Sequence, residues 1–497
     1  MAANVKIATL PKLVPSPTRN QEPDVATEEA VRTDAPPTPA EGPKTSHPTG
    51  FWFIWGGEFA ERCSYYGMRA ILATYMAKEL GFGEANAGTV MSFFIAACYF
   101  LPLIGGYVAD NFFGKYWTIV GFSLPYIAGH FILGFPNDTC FVIALCLLAM
   151  GAGVIKPNIS TLMGMTYREQ RPGQPELLAA AFSWFYVAIN IGAFIGQVTV
   201  PLTKDKYGYQ AAFLVPTLFM VVALIVFALG KKEYATEKIV RKKLTSAEIS
   251  ERLRFLGRVS GLFLPVMMFW AAFDQTASTW VFFGQTYMHE ELLGYHVTAE
   301  ELQALNAFCI VSLTPVLRLL FGQLAKRGVI VRPTTKLFIG FFFTAAACLF
   351  LATAGEMAGT AQEVTTLKDG KEVVEKVVAA GEKVSMWWMV AAYVVLTIGE
   401  LLISVTGLEL AFVVSPPSMR GFVTGVWLLM VWAGNLFVNA PITRLYPLMT
   451  PANYFGMLAG MVLVTGVIYA FIARKFEATQ GQQSPEAEGI GRGQNAD

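Results

Sequence analysis

From Phe51 to about Ala473 the sequence alternates long apolar runs with short polar connections. The runs are about twenty residues or longer, the length at which an α-helix crosses the hydrocarbon core of a bilayer. No other feature limits the fold so strongly. In hydrocarbon every backbone N–H and C=O must find a partner within the segment, and for runs of this length a helix is the solution. Twelve spans are predicted, near 51–78, 86–108, 116–135, 140–163, 178–200, 209–230, 259–284, 302–324, 334–355, 386–414, 420–441 and 452–473. Composition agrees: 54% of residues are hydrophobic and 15% charged, where soluble domains carry roughly 25% charged. The net charge of +1 gives no reason to expect a nucleic-acid partner. Six cysteines lie in or beside the runs without metal-type spacing and read as small buried residues.

The connections set the orientation. With the N-terminus placed inside, the inside connections carry nineteen lysines and arginines and the outside ones eight. Excess Lys and Arg marks the cytoplasmic side, so both termini are expected there. Residues 1–50 and 477–497 have no apolar core and read as disordered tails. Residues 231–258 form a basic cytoplasmic linker between two halves, 51–230 and 259–476, with Thr245, Ser246 and Glu248 placed to cap a short amphipathic helix. In segment 360–385, Asp369-Gly370 between β-forming residues predicts an outward-facing hairpin. The stretches GGYVADNFFGK (105–115) and GQLAKRG (322–328) follow equivalent spans of the two halves. They suggest two six-helix bundles around a central cavity.

The first span carries four charges in GGEFAERCSYYGMRA, residues 56–70. A charge at mid-bilayer costs about 2.5–3.5 kcal/mol even on the lenient insertion scale. Glu58, Glu61, Arg62, Tyr65 and Arg69 fall on one helical face, which must look into protein or a water-filled cavity. A Glu–Arg clasp that only joins helices is one reading. Two carboxylates, two guanidiniums and two tyrosines together favour a functional site. Lys156 precedes Pro157 in GAGVIKPNIS, as a gate or substrate clamp, or as a lysine snorkelling near a helix end. Asp274 and Gln275 lie in span seven, Glu400 in mid-span ten, and Arg318 in span eight has no assignment. Glu400 suits proton relay. Of four histidines only His130 is in a span, and no P-loop appears, so an ion gradient is the expected drive.

These residues resemble the proton-dependent oligopeptide transporter family of the major facilitator superfamily. Its first-helix signature ExxERFxYYG stands here as EFAERCSYYG, Glu58 to Gly67, with Cys63 in place of the phenylalanine. The resemblance continues in GAGVIKPN (151–158), FYVAINIG (185–192), Trp270 with Asp274, and GELLIS (399–404). It implies that Glu58, Glu61 and Arg62 couple proton movement to peptide binding and that Arg69 and Asp274 form an outer gate. It implies that Lys156 and Glu400 pair near the inner gate, with Glu400 receiving the peptide amino group. Tyr65, Tyr66, Tyr99, Asn190, Trp270, Ser404 and Trp427 would line the pocket. Bacterial members commonly insert two extra helices between the halves, and this linker is too short for them. The mammalian branch has a histidine where Ser92 stands here, so carboxylates are expected to carry the proton. Arg318 departs from a position the family keeps neutral.

The expectation is an all-α polytopic membrane protein of the major facilitator fold, with twelve transmembrane helices. It would be a symporter, not an enzyme, importing di- and tripeptides by alternating access. No cofactor is expected beyond the proton gradient, and the partners are peptides, protons and the lipid bilayer. A monomer in the cell membrane is expected (the inner membrane, if bacterial). A transporter of nitrate or another small anion on the same fold, or a peptide receptor that moves nothing, are the alternatives.

Overall fold

The structure is a computed structural model that describes residues 46–237, 239, 245–368, 371–415 and 419–482. Pro48, extended and without an N–H, leads into α1 (Thr49–Thr74). The chain then runs back and forth through α2 (Gly83–Val108), α3 (Gly114–Leu133), α4 (Asp138–Gln170) and α5 (Pro175–Leu229). It continues with α6 (Ser246–Phe263), α7 (Val266–Asp274), α8 (Thr279–Tyr287), α9 (Ala304–Lys326) and α10 (Pro333–Met357). The last helices are α11 (Trp387–Glu400), α12 (Thr406–Val414), α13 (Arg420–Ala433), α14 (Ala440–Thr443) and α15 (Pro451–Gln482). Helices α1–α5 pack on one another, with α1 along α5 and α3 on α4. In the second group α10 lies against α11 and α15. The groups meet where α2 touches α13 and α14, and where α5 touches α9.

Eight stretches of the described residues are long and apolar enough to cross a bilayer, or nine if the bent pair Ser246–Gly257 and Val259–Ala277 is one span. Two of the eight, Gly83–Leu133 and Pro175–Glu233, are 51 and 59 residues long, more than twice the roughly 20 a bilayer requires. Each is broken by a glycine with positive φ: Gly114 at 75° and Gly208 at 79°. Side chains rarely adopt that conformation, so glycine is what lets the chain reverse there.

The two ends of the molecule differ. At one, Gln362–Lys368 pairs antiparallel with Lys371–Val377, Lys368 opposite Lys371. Asp369 and Gly370, on which the hairpin expectation rested, lie outside the described residues. We call this the hairpin end. At the other, the linker end, residues 230–237 run along the first group: Ala235 N–H donates to Thr166 Oγ1 at 3.2 Å and Thr236 N–H to Glu169 at 3.0 Å. Thr245 and Glu248 form a reciprocal capping box that starts α6. That helix runs through 258, the expected linker boundary, to Phe263.

Three details correct the sequence reading. Helix α15 continues past 477 to Gln482, because Glu477 accepts hydrogen bonds from Arg332 and Thr334 and so ties the last turn to α10. Before residue 50, Arg171 Nε donates to the Ser46 carbonyl at 2.9 Å and His47 bonds Tyr167, so the chain is already held there. Cys146 is exposed and Cys140 half-buried, while the other four cysteines are buried. On a lipid-facing helix surface a small apolar residue gains nothing by turning inward.

Helices α1 and α5 approach closely. A Cβ at Gly196 would lie 2.2 Å from the Cys63 carbonyl oxygen, and one at Gly192 2.6 Å from that of Phe59. Small residues at such a seam let two backbones touch.

Candidate functional site

One face of α1 carries the buried charges. Arg62 Nε lies 2.8 Å from Glu58 Oε1 and 2.7 Å from Glu61 Oε2, and all three side chains are 2% exposed. Glu58 lies one helical turn before Arg62, where side chains four apart meet, and Glu61, its sequence neighbour, reaches the same guanidinium. Tyr126 of α3 donates to Glu61 Oε1 at 3.2 Å. Near this cluster Lys156 of α4 lies over two aromatic rings, with Nζ 4.5 Å from the Tyr99 centroid and 5.6 Å from that of Tyr65. Ring faces are negative, so they hold an ammonium without a counter-charge.

A cavity lies between the two groups of helices. The first group lines it with Tyr66, Arg69, Tyr99 and Asn190, the second with Trp270, Asp274 and Glu400. Arg69 Nη2 meets Asp274 Oδ1 at 2.6 Å and joins the groups. The second oxygen of Asp274 accepts from Asn435 Nδ2 at 2.7 Å. Asn439 then donates to Asn435, and Thr443 to Asn439, which extends a polar ladder toward the hairpin end. Further links lie on that side. Glu300, buried, takes Lys204 and Thr74; Gln303 Nε2 donates to the Ala70 carbonyl at 3.0 Å; Thr89 donates to the Ala440 carbonyl at 3.3 Å.

Glu400 ends α11 just before a π-helical turn, Leu401–Val405. Such turns are frequent at functional sites. Asn306 Nδ2 donates to Glu400 Oε2 at 2.7 Å and to Thr397 Oγ1 at 3.0 Å. Lys156 and Glu400 were expected to pair, and among the described residues no ion pair joins them. Each has another partner, the tyrosine rings for the lysine and Asn306 for the carboxylate.

The structure thus gathers Tyr66, Arg69, Tyr99, Asn190, Trp270, Asp274 and Glu400 around one cavity and sets Glu58, Glu61, Arg62 and Lys156 beside one another behind it. Three expected pocket residues are not part of its lining. Tyr65 is buried against Tyr66 and Phe94. Ser404 sits in the π-helical turn. Trp427, 1% exposed, packs edge-on to Phe263 in a slot that Gly407 leaves open, since a Cβ there would come within 1.8 Å of the indole. Arg318 is exposed and lies outside the cavity lining. Asn306, Tyr186 and Asn435 were missed. Asn435, Asn439 and Thr443 recur every four residues, a polar stripe that periodicity exposes. Asn306 carries no charge and gave no such signal.

The POT family model matches residues 116–248 and 235–449, more than half of the chain. Peptide transporter family 1 of Drosophila melanogaster is 32% identical over 379 residues, 66% of this chain and 49% of that protein. Dipeptide and tripeptide permease B of Salmonella typhimurium is 28% identical over 501 residues, covering 86% of this chain and 96% of the permease. The chain therefore spans about half the length of the first relative and nearly all of the second. The crystal structure of the POT family transporter PepTSo is similar with a TM-score of 0.73 at 26% identity, covering 87% of this chain and 99% of that one. An auto-inhibited POT family peptide transporter gives 0.72 at 27%, covering 86% and 97%. The family model covers more than half of the chain, and the relatives and structural neighbours agree with it: this chain belongs to the POT family, a branch of the major facilitator superfamily whose members are membrane transporters and not enzymes.

Proposed function

We propose that this protein is a proton-coupled symporter that imports di- and tripeptides across the cell membrane by alternating access. Its relatives and structural neighbours are named as peptide transporters. The observation that carries the reading is the disposition of charge around the cavity. Arg69 lines the cavity from the first group of helices and Glu400 from the second, while Lys156 lies behind the first wall against Tyr99. A peptide zwitterion needs a cation at one end and an anion at the other, and opposite walls of one cavity supply both. Tyr66, Tyr99 and Trp270 offer apolar area with polar tips, which suits varied side chains. The Glu58–Glu61–Arg62 cluster supplies carboxylates able to take a proton next to the lysine that would hold the peptide carboxylate.

Twelve spans in two six-helix bundles belong to this proposal, and the helices described are compatible with them. Splitting the two longest apolar stretches at Gly114 and Gly208 turns eight into ten. Helix α1, with its internal charges, and the bent pair that contains α6 and α7 complete the count. The lysine and arginine tally puts the linker end in the cytoplasm and the hairpin end outside. The joined Arg69–Asp274 gate and the separate Lys156 and Glu400 then correspond to a state closed to the outside. Opening outward would part Arg69 from Asp274, and peptide and proton binding would reset both pairs. The protein is expected to act as a monomer.

The test is uptake of labelled dialanine into proteoliposomes under an inward proton gradient, for wild type and Glu61→Gln. Accumulation in wild type that the substitution abolishes supports the symporter. No accumulation by wild type in tight liposomes, with or without the gradient, rejects dipeptide symport.

A further inference from the structure

His130 lies at the heart of the first group of helices and is fully buried. Its Nε2 is 2.8 Å from Ser64 Oγ on α1. The serine hydroxyl has one hydrogen, and that hydrogen goes to the Pro216 carbonyl on the returning part of α5, 2.8 Å away. Toward the imidazole Ser64 is therefore an acceptor, and Nε2 carries the ring's hydrogen. Nδ1 is buried and has no partner among the described residues. An imidazolium would place a second N–H there with nothing to receive it, a buried charge and an orphan donor at once. The hydrogen bonds thus define a neutral ring that binds α3 to α1 and α5.

One turn earlier on α3, Tyr126 packs against this ring with centroids 4.8 Å apart and the planes tilted by 32°. On its other side is α4, where a Cβ at Gly151 would fall 2.3 Å from Tyr126. The ring is thus bordered by the imidazole and, at the root of the side chain, by α4 at Gly151, and its hydroxyl donates to Glu61 Oε1 at 3.2 Å. Ser64 is itself one turn beyond Glu61. The ionisable groups around this arrangement are Glu58, Glu61, Arg62 and Tyr65 on α1, Cys98 on α2 and Lys156 on α4.

We infer that His130 is a positioning residue for proton coupling, a neutral clamp that fixes the Tyr126 phenol on Glu61. This rests on the symport reading. Without the clamp the phenol is free to leave the carboxylate. A hydroxyl donor favours the ionised form of the carboxylate it meets, so its loss should move the pH profile of gradient-driven uptake upward. The pH of half-maximal gradient-driven uptake should rise by about one unit, a tenfold change in proton affinity.

The experiment compares dialanine uptake against pH for wild type, His130→Gln, His130→Leu and Ser64→Ala, with peptide counterflow measured without a gradient. Glutamine replaces the Nε2 donor and should keep the wild-type profile. Leucine fills the space without the donor, and Ser64→Ala removes the acceptor with a smaller lesion. Both should shift the profile upward while counterflow continues. An unshifted profile in His130→Leu and Ser64→Ala reduces His130 to packing and overturns the inference, with symport intact. Loss of gradient-driven accumulation in His130→Gln, with counterflow retained, makes the histidine a proton carrier and also overturns it. Wild type that exchanges peptide but never accumulates it removes proton coupling, and this inference with it.

Discussion

The hairpin end and the middle of the cavity use opposite charges in contrasting ways. Toward the hairpin end, Arg69 meets Asp274 and Lys204 meets Glu300, each pair formed across the two groups of helices. In the middle, Lys156 and Glu400 stay apart, one on tyrosine rings and the other on an asparagine. The difference teaches what a buried charge needs. Desolvation is tolerated when another group satisfies it, and an aromatic face or a carboxamide serves as well as a counter-ion. A salt bridge closes a passage; a neutral partner holds a charge ready for something else.

The comparison breaks most readily at Asp274. Asp274→Asn leaves Arg69 buried without a counter-ion, which costs about 3–5 kcal/mol when one partner of a buried pair is removed. The hairpin end should open, so a cysteine at Ala307, which lines the cavity, in a cysteine-free background should label faster from that side. Unchanged labelling and unchanged melting would mean that Arg69–Asp274 is no gate. Glu300→Gln should have a smaller effect, about 1–3 kcal/mol, because Lys204 retains Asp205 at 3.1 Å. The same labelling assay ranks the two pairs. If Glu300→Gln opens the end more than Asp274→Asn does, their order of importance is reversed.

Asn306→Ala tests the middle. Removing its 2.7 Å hydrogen bond to Glu400 should raise KM for dialanine about tenfold, the equivalent of ~1.4 kcal/mol. Uptake at saturating peptide should change far less. A fall in maximal rate with unchanged KM would place Asn306 in the conformational step instead. The smallest effect is expected at Thr245→Ala, which removes the α6 cap at a cost of about 1 kcal/mol. Hydrogen exchange should quicken in the first turn of α6 while uptake persists. Lost uptake would make the linker end part of the cycle.

The charged residues were legible because apolar runs are a quiet background. Glu58, Glu61, Arg62 and Arg69 stand out there, and their spacing alone puts them on one face. The Arg69–Asp274 contact spans 205 residues of sequence and came only through resemblance to a family. The partners of Lys156 and Glu400 were illegible for another reason. A sequence offers the opposite charge as the obvious mate, and neither rings nor carboxamides announce that they have taken its place. Trp427 failed similarly, since a large aromatic in a span suggests a pocket, and the slot that holds it is made by Gly407, a residue with no side chain to notice. Span limits were clearest where glycine breaks the helix, at Gly114 and Gly208.

The glycine seam between α1 and α5 bears on how force passes through the molecule. At Gly192 and Gly196 the α5 backbone lies so close to α1 that no side chain fits between them, so the two helices pack as a closely matched pair. Glu58, Glu61 and Arg62 lie on one helix of that pair and Asn190 on the other. Under the symport reading, a change in tilt at the carboxylates would carry the α5 side of the cavity wall with it.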